Sequence, residues 1–239
     1  MKIALPTLQG RFLRRYKRFF ADVELDDGTL ITAHCPNTGS MLGCLEPGRR
    51  AVLRDSGDLE RKLRYVLQAL KVGSTWVNVD TGLPNAVVHG AAAAGEISEL
   101  AGYSSARREV KYGENSRIDV LLEREDGARC YVEVKNTTLA RGRVALFPDS
   151  VTERGLKHLG ELSKVARLKN QRAVQFFFVS RVDVDSFEPA GDIDPAYARG
   201  LCEAADAGVE ILAYRARVRP DSLILDRRIE VRLDRARWV

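Results

Sequence analysis

Residues 116–135, "SRIDVLLEREDGARCYVEVK", constrain the fold more than any other stretch of the chain. Two runs of strand-forming residues flank Asp126 and Gly127, a dipeptide that signals a tight hairpin turn. Folding back about that turn pairs residues whose numbers sum to about 252. Asp119 then faces Glu133, and Arg117 faces Lys135. Side chains alternate along a strand, so these four share one face and Val132 and Val134 share the other.

Two carboxylates set opposite each other destabilise a strand pair. They call for a cation or a shared proton between them. A hard divalent cation such as Mg²⁺, or Mn²⁺ in its place, fits, because it binds through one or two carboxylates and keeps waters for substrate phosphates. Lys135 stands beside that pair, placed to hold or deprotonate a water or to stabilise charge on a phosphoryl group. Asp119, Glu133 and Lys135 are therefore the candidate catalytic set, with Asp119 and Glu133 as metal ligands and phosphodiester hydrolysis as the chemistry. The plainer alternative is a solvent-facing Glu133–Lys135 pair, which contributes little.

The flanks bear on this choice. "NAVVHGAAAAGEISEL" (85–100) reads as a helix that breaks or ends near Gly95 and carries Glu96 and Glu99, either of which offers a further carboxylate. A second helix follows the hairpin, with Ser150 and Glu153 matching a capping box and Leu156, Leu159 and Leu162 at helical spacing. Its polar face carries Arg154, Lys157 and His158. "AVQFFFVS" reads as a buried strand. Asp194 caps a third helix that ends at Gly208. "VEILAYRARV" is a strand, and "SLILDRRIEVRL" reads as a closing hairpin. The order α-β-β-β-α-β-α-β predicts a mixed sheet flanked by helices over residues 83–239.

Residues 1–82 have another texture. Short apolar runs alternate with turn residues, as in "KRFFADVEL", "LITAHC" and "STWVNVD", and predict a small β-barrel, OB-like in type. Of the chain's net charge of +5, this part holds +4, from 13 Lys/Arg against 9 Asp/Glu. "RFLRRYKRFF" (11–20) interleaves basic and aromatic residues, the composition of a surface that meets a polyanion. Arg14, Arg15, Lys17 and Arg18 are expected to contact phosphates. In "HCPNTGS", Asn37, Thr38 and Ser40 offer neutral phosphate donors. Arg61 and Lys62 extend the basic track. The same loop residues also suit a tight turn with no ligand. The turn "TGLPNAV" marks the boundary.

No run approaches the ~20 apolar residues of a membrane span, and "MKIALPTLQG" lacks a secretory core, so a cytoplasmic location is expected. Cys35, Cys44, Cys130 and Cys202 show no zinc-ligand spacing.

The order α-β-β-β-α-β with "SRID" and "VEVKN" resembles the PD-(D/E)xK nuclease superfamily. That resemblance puts the family's acids on Asp119 and Glu133, its lysine on Lys135 and the helix acid of some members on Glu99. Ile118 stands where the superfamily's proline would be. The whole chain resembles the sugar fermentation stimulation protein A (SfsA) family through "RRYKRFFADV", "AHCPNTGSM", "YGENSRIDVLL", "YVEVKNTTL", "FPDSVTERGLKHLGEL" and "GVEILAY". It implies an N-terminal OB-like domain, a nuclease-like C-terminal domain and binding of DNA without strong sequence preference. RNA or branched nucleic acid stays open as the substrate. The alternative to an enzyme is a non-catalytic DNA-binding regulator linked to maltose use, with an idle nuclease-like site. No sugar-binding constellation is visible.

Overall fold

The computed structural model describes residues 7–112, 116–234 and 236. Gly113, Glu114 and Asn115 of the "YGENSRIDVLL" motif lie outside the described residues.

The first part is a barrel. Strands β1 (Thr7–Tyr16), β2 (Phe20–Leu25), β3 (Leu30–His34), β4 (Arg50–Asp55), β5 (Tyr65–Val72) and β6 (Thr75–Asn78) form one sheet. β1 pairs with both β2 and β4, β2 with β3 and β4 with β5. A parallel contact between His34 and Val66 joins β3 to β5 and closes five strands on themselves. Closure needs strands that bend. β1 supplies this with an irregularity in its register between Phe12 and Arg14. At Gly10 a Cβ would lie 2.3 Å from the carbonyl oxygen of Glu24, so only glycine lets β2 approach this closely. Phe12, Val23, Leu53, Leu67 and Leu70 fill the interior. This is the expected OB-like barrel.

The second part is a mixed sheet between helices. Its elements are α1 (Leu83–Ala93), a 3-10 turn (Ser98–Leu100), β7 (Ser105–Tyr112), β8 (Ser116–Glu123), β9 (Arg129–Thr137), β10 (Leu139–Arg141), β11 (Val144–Phe147), α2 (Glu153–Ala166), β12 (Gln171–Val179), β13 (Ser186–Pro189), α3 (Pro195–Asp206), β14 (Glu210–Arg219), β15 (Ser222–Arg228) and β16 (Glu230–Val231). The main sheet runs β15-β14-β12-β9-β8-β7. β9, β12 and β14 are parallel at its centre. Both faces of β12 are covered, which is why "AVQFFFV" is apolar almost throughout. Val174, Phe176 and Phe178 pack towards α1, and Ala173, Phe177 and Val179 towards α2 and α3.

Several details depart from the sequence expectation. The helix read within 85–100 ends at Ala93, close to Gly95 as expected, but Glu99 then falls outside it, on a 3-10 turn, and Gly95 turns the chain with φ +71°. The cap of α2 is Thr152, whose hydroxyl accepts from the Gly155 amide at 3.1 Å, and not Ser150. The stretch before α2 holds two short strands, β10 and β11, which join β13 and β16 in a small sheet. "SLILDRRIEVRL" does not fold on itself. β15 pairs back onto β14, and β16 pairs with β13. Asp194 caps α3 through the Tyr197 amide at 2.9 Å, and Gly208 follows it with φ +97°, as expected. The four cysteines are all buried thiols.

Candidate active site

The hairpin register is the one its turn dictates. Val120 pairs with Val132, Leu121 with Tyr131, Leu122 with Cys130 and Glu123 with Arg129. Among the described residues the ladder stops at Val120, and the strands part. The Asp119 carboxylate fills the gap: Oδ2 accepts from the Val134 amide at 2.7 Å. Arg117 pairs across β7 with Lys111 and does not face Lys135 in a ladder, contrary to expectation.

Glu133 lies on the α2 side of β9 and is only 3% exposed. A buried carboxylate must be paired. Its Oε1 accepts from Lys135 Nζ at 2.7 Å and contacts His158 Nδ1 on α2. Its Oε2 is buried with no hydrogen-bond partner among the described residues. Such an orphan oxygen costs stability unless something else is bound there. Gln175 supports the backbone beneath, its Nε2 donating to the Glu133 carbonyl at 3.1 Å.

The two acids are shifted in opposite directions. Burial, then the charge of Glu133, pushes the Asp119 carboxyl up to about 6. Burial also pushes Glu133 up, but the His158 and Lys135 contacts outweigh it and hold that carboxyl low. The buried phenols of Tyr112 and Tyr197 are both raised, first by burial and then by the charge of Glu133.

Both carboxylates line a cavity of about 580 Å³ with walls from both parts of the chain. The main sheet and α2 contribute Asp119, Glu133, Lys135, Arg154 and His158; the barrel contributes Arg18, Asn37 and Thr38. The barrel loop is pinned there. The Met41 amide donates to Asp149 Oδ2 at 2.7 Å, and the Ser40 hydroxyl donates to the Asp149 carbonyl. Thr81 Oγ1 donates to the Pro36 carbonyl at 3.2 Å. Gly39 fits because a Cβ would lie 2.6 Å from Asp149 Oδ1.

Other expected residues have different places. Glu99 is not in this cavity. It lies on the 3-10 turn, bonded to the Tyr214 hydroxyl at 2.6 Å and paired with Arg228 at 2.7 Å. α1 ends too early to carry it towards Asp119. The α1 residue that does reach Asp119 is Asn85, whose Nδ2 donates to Oδ1 at 2.6 Å. Arg15 is no free phosphate ligand: it donates to the carbonyls of Arg18, Asn37 and Gly39 at 2.8–3.1 Å and staples the hairpin to the loop. Ser40 is spent on Asp149. Asn37 is buried, and its Oδ1 accepts from the Gly39 amide at 2.9 Å. His158 is buried against Glu133, not presented on a solvent face. Arg14 is exposed but paired with Asp22 at 2.8 Å. Arg61 and Lys62 sit on the exposed β4–β5 loop, away from the cavity lining. Lys157 lines a smaller adjoining cavity with Arg117, Asp119 and Glu133.

Asn85 and Gln175 were not anticipated. Gln175 leaves a signal, being one polar residue inside "AVQFFFV". Asn85 leaves only its position in the first turn of a helix opened by Pro84.

Family models match both parts: an SfsA N-terminal OB domain over residues 13–79 and a sugar fermentation stimulation protein RE domain over residues 82–222. A sugar fermentation stimulation protein homolog of Citrifermentans bemidjiense is 52% identical over 99% of this chain and 98% of its own. The chain belongs to the SfsA family. A homolog from Geotalea uraniireducens is 50% identical over 98% of this chain and 100% of its own. A solved structure, that of Pyrococcus furiosus SfsA in complex with Ca²⁺, superposes with a TM-score of 0.87 at 31% identity, covering 97% of this chain and 99% of that one. The SfsA fold is thus present here from barrel to closing strands.

The site's fitness for a metal can be judged from its donors. Among the described residues, no group of three or more His, Cys, Asp or Glu is placed to hold a metal by itself. That excludes a closed, zinc-like cage from this set. Two carboxylates with one vacant, buried oxygen suit a hard cation that keeps most of its waters. No helix among the described residues is long and apolar enough to cross a membrane.

Proposed function

We propose that this SfsA-family protein binds DNA and hydrolyses its phosphodiester bonds with a divalent cation, Mg²⁺ or Mn²⁺, held by Asp119 and Glu133. The observation that carries this reading is the buried, unpartnered Oε2 of Glu133, on a carboxylate whose other oxygen is fixed by Lys135 and His158. A purely structural ion pair gains nothing from that orphan oxygen, whereas a metal ligand needs it. The Pyrococcus furiosus relative forms a complex with Ca²⁺, which agrees with a hard-cation site in the family.

When bound, such an ion supplies Lewis acidity towards a phosphoryl oxygen and lowers the pKa of an attacking water. The remaining work belongs to side chains. Asn85 and the Val134 amide orient Asp119, and His158 orients Glu133. Lys135 positions the attacking water or neutralises charge that grows on the phosphoryl oxygens. Arg154, in the first turn of α2, faces the same cavity as a second phosphate ligand. Arg18 and Lys17 add sequence-independent attraction for the backbone.

The test is cleavage. Purified protein is incubated with labelled DNA in Mg²⁺, Mn²⁺ or EDTA, with Glu133→Gln beside the wild type. Cleavage that needs the metal and disappears in Glu133→Gln, with DNA binding retained, is expected. Binding without cleavage of single-stranded, duplex and branched DNA would instead favour a regulator with an idle site.

A further inference from the structure

The β1–β2 hairpin tip is built in a costly way. Its turn is Lys17, Arg18 and Phe19, and both Lys17 (φ +48°) and Arg18 (φ +63°) adopt the left-handed conformation that glycine adopts at least cost. A tight hairpin favours left-handed residues at its centre, and here the turn presents two cations there instead of the usual Asn or Gly. The two flanking aromatics, Tyr16 and Phe20, stack on each other with ring centroids 5.2 Å apart, and Arg14 lies 5.1 Å from the Tyr16 ring. Those rings are already partnered. Phe19 projects beyond them, 48% exposed and preceded by two cations.

The tip also has a fixed place. The Cys35 amide donates to the Phe19 carbonyl at 2.7 Å, and Arg15 ties Arg18 to the loop of Asn37 and Gly39. Arg18 itself lines the cavity that holds Asp119 and Glu133. Phe19 thus follows a cavity-lining residue directly in sequence, and its backbone is held by Cys35, next to the loop that lines the same cavity. The cavity, at about 580 Å³, has the volume of a pocket for a small organic ligand. One or two nucleotides fit such a space.

Resting on the nuclease reading above, we propose that the substrate entering this cavity is single-stranded DNA, and that Phe19 is a stacking platform for a base just outside it. Lys17 and Arg18 grip the adjoining phosphates. A ring face accepts any base, so the platform holds a strand without reading sequence. In duplex DNA the base faces are already stacked, and Phe19 has nothing to gain.

The test is anisotropy of a fluorescein-labelled 20-nucleotide strand and of the matching duplex, measured in EDTA to prevent cleavage. Wild-type protein is expected to bind the single strand at least tenfold more tightly than the duplex. Phe19→Ala should lose about tenfold on the single strand and nothing on the duplex, and Phe19→Trp should restore it. Equal affinity for strand and duplex, or Phe19→Ala behaving as wild type on both, overturns the proposal. Cleavage in Mg²⁺ is read separately. Protein that cuts both forms equally well keeps the nuclease reading and loses this one. Protein that binds strands through Phe19 yet cuts nothing keeps this one and loses the other.

Discussion

At residues 133–135 the chain buries its charges, and at residues 14–18 it exposes most of them. Glu133 is surrounded by Lys135 and His158, which answer the demand of a desolvated carboxylate for partners, and by Gln175, which holds its backbone carbonyl. The arginines and lysine of the hairpin answer no single demand. Arg14 pairs with Asp22, Arg15 staples a loop, and Lys17 and Arg18 reach outward. Burial leaves a charge one use, whereas exposure leaves it several. That difference orders the expected effects of mutation.

The largest effect should come from the buried segment. Lys135→Ala is expected to lower the rate of metal-dependent cleavage by at least about 10²-fold, with DNA affinity nearly unchanged. A rate close to wild type in single-turnover assays would show that Lys135 is only Glu133's counter-charge.

The same contrast explains what the sequence made legible. The pairing of Val120 with Val132 followed from one Asp-Gly turn and strand alternation, because a register error would have moved every core residue to the wrong face. The closed barrel and the mixed sheet followed from apolar runs and turn residues for the same reason. Glu99 was misplaced because the resemblance, not the local pattern, put the helix acid there; the helix ended near Gly95 as its sequence indicates, and Asn85 from its first turn meets Asp119. Arg15 and Ser40 were misread because their partners are backbone carbonyls, distant in sequence and of no particular residue type. The shared cavity was invisible for a related reason: the bonds of Ser40 and Met41 to Asp149 span more than a hundred residues.

Stability offers the next test. The Asp119 carboxyl, raised to about 6 from an ordinary 3.8, binds its proton more tightly folded than unfolded. Asp119's own contribution to metal-free protein should therefore turn unfavourable as pH rises from about 4 to about 6 and stay so above pH 6, read as the difference from Asp119→Asn because carboxyls held low, Glu133 among them, act in the opposite sense. Asp119→Asn in EDTA at pH 7.5 should be more stable by about 2 kcal/mol, and the gain should shrink towards pH 4. Thermal melts across that range would read it; a variant less stable at pH 7.5 would mean the charge is better compensated than its partners indicate.

Within the exposed segment, Arg15 should separate from its neighbours. Arg15→Ala removes three charged hydrogen bonds to the loop and the hairpin tip and should destabilise by about 2 kcal/mol in denaturant melts. Lys17→Ala with Arg18→Ala should leave stability intact or slightly improved, since the left-handed turn remains. It should flatten the dependence of log affinity on log salt by about 0.7 for each phosphate no longer neutralised. If instead Arg15→Ala were as stable as wild type and flattened the salt slope, the hairpin would be a uniform basic patch.

The smallest effect is expected at Arg14, whose exposed pair with Asp22 should contribute less than about 1 kcal/mol in a double-mutant cycle.

The central claim, that the half-buried Asp119 and the buried Glu133 together hold a hard cation, is tested most directly by calorimetric titration of Mg²⁺ and Mn²⁺ into wild-type protein and Asp119→Asn without DNA. Saturable binding at one site in the wild type, abolished in the variant, is the predicted result. Binding of equal affinity in both proteins, or none in the wild type, would contradict it.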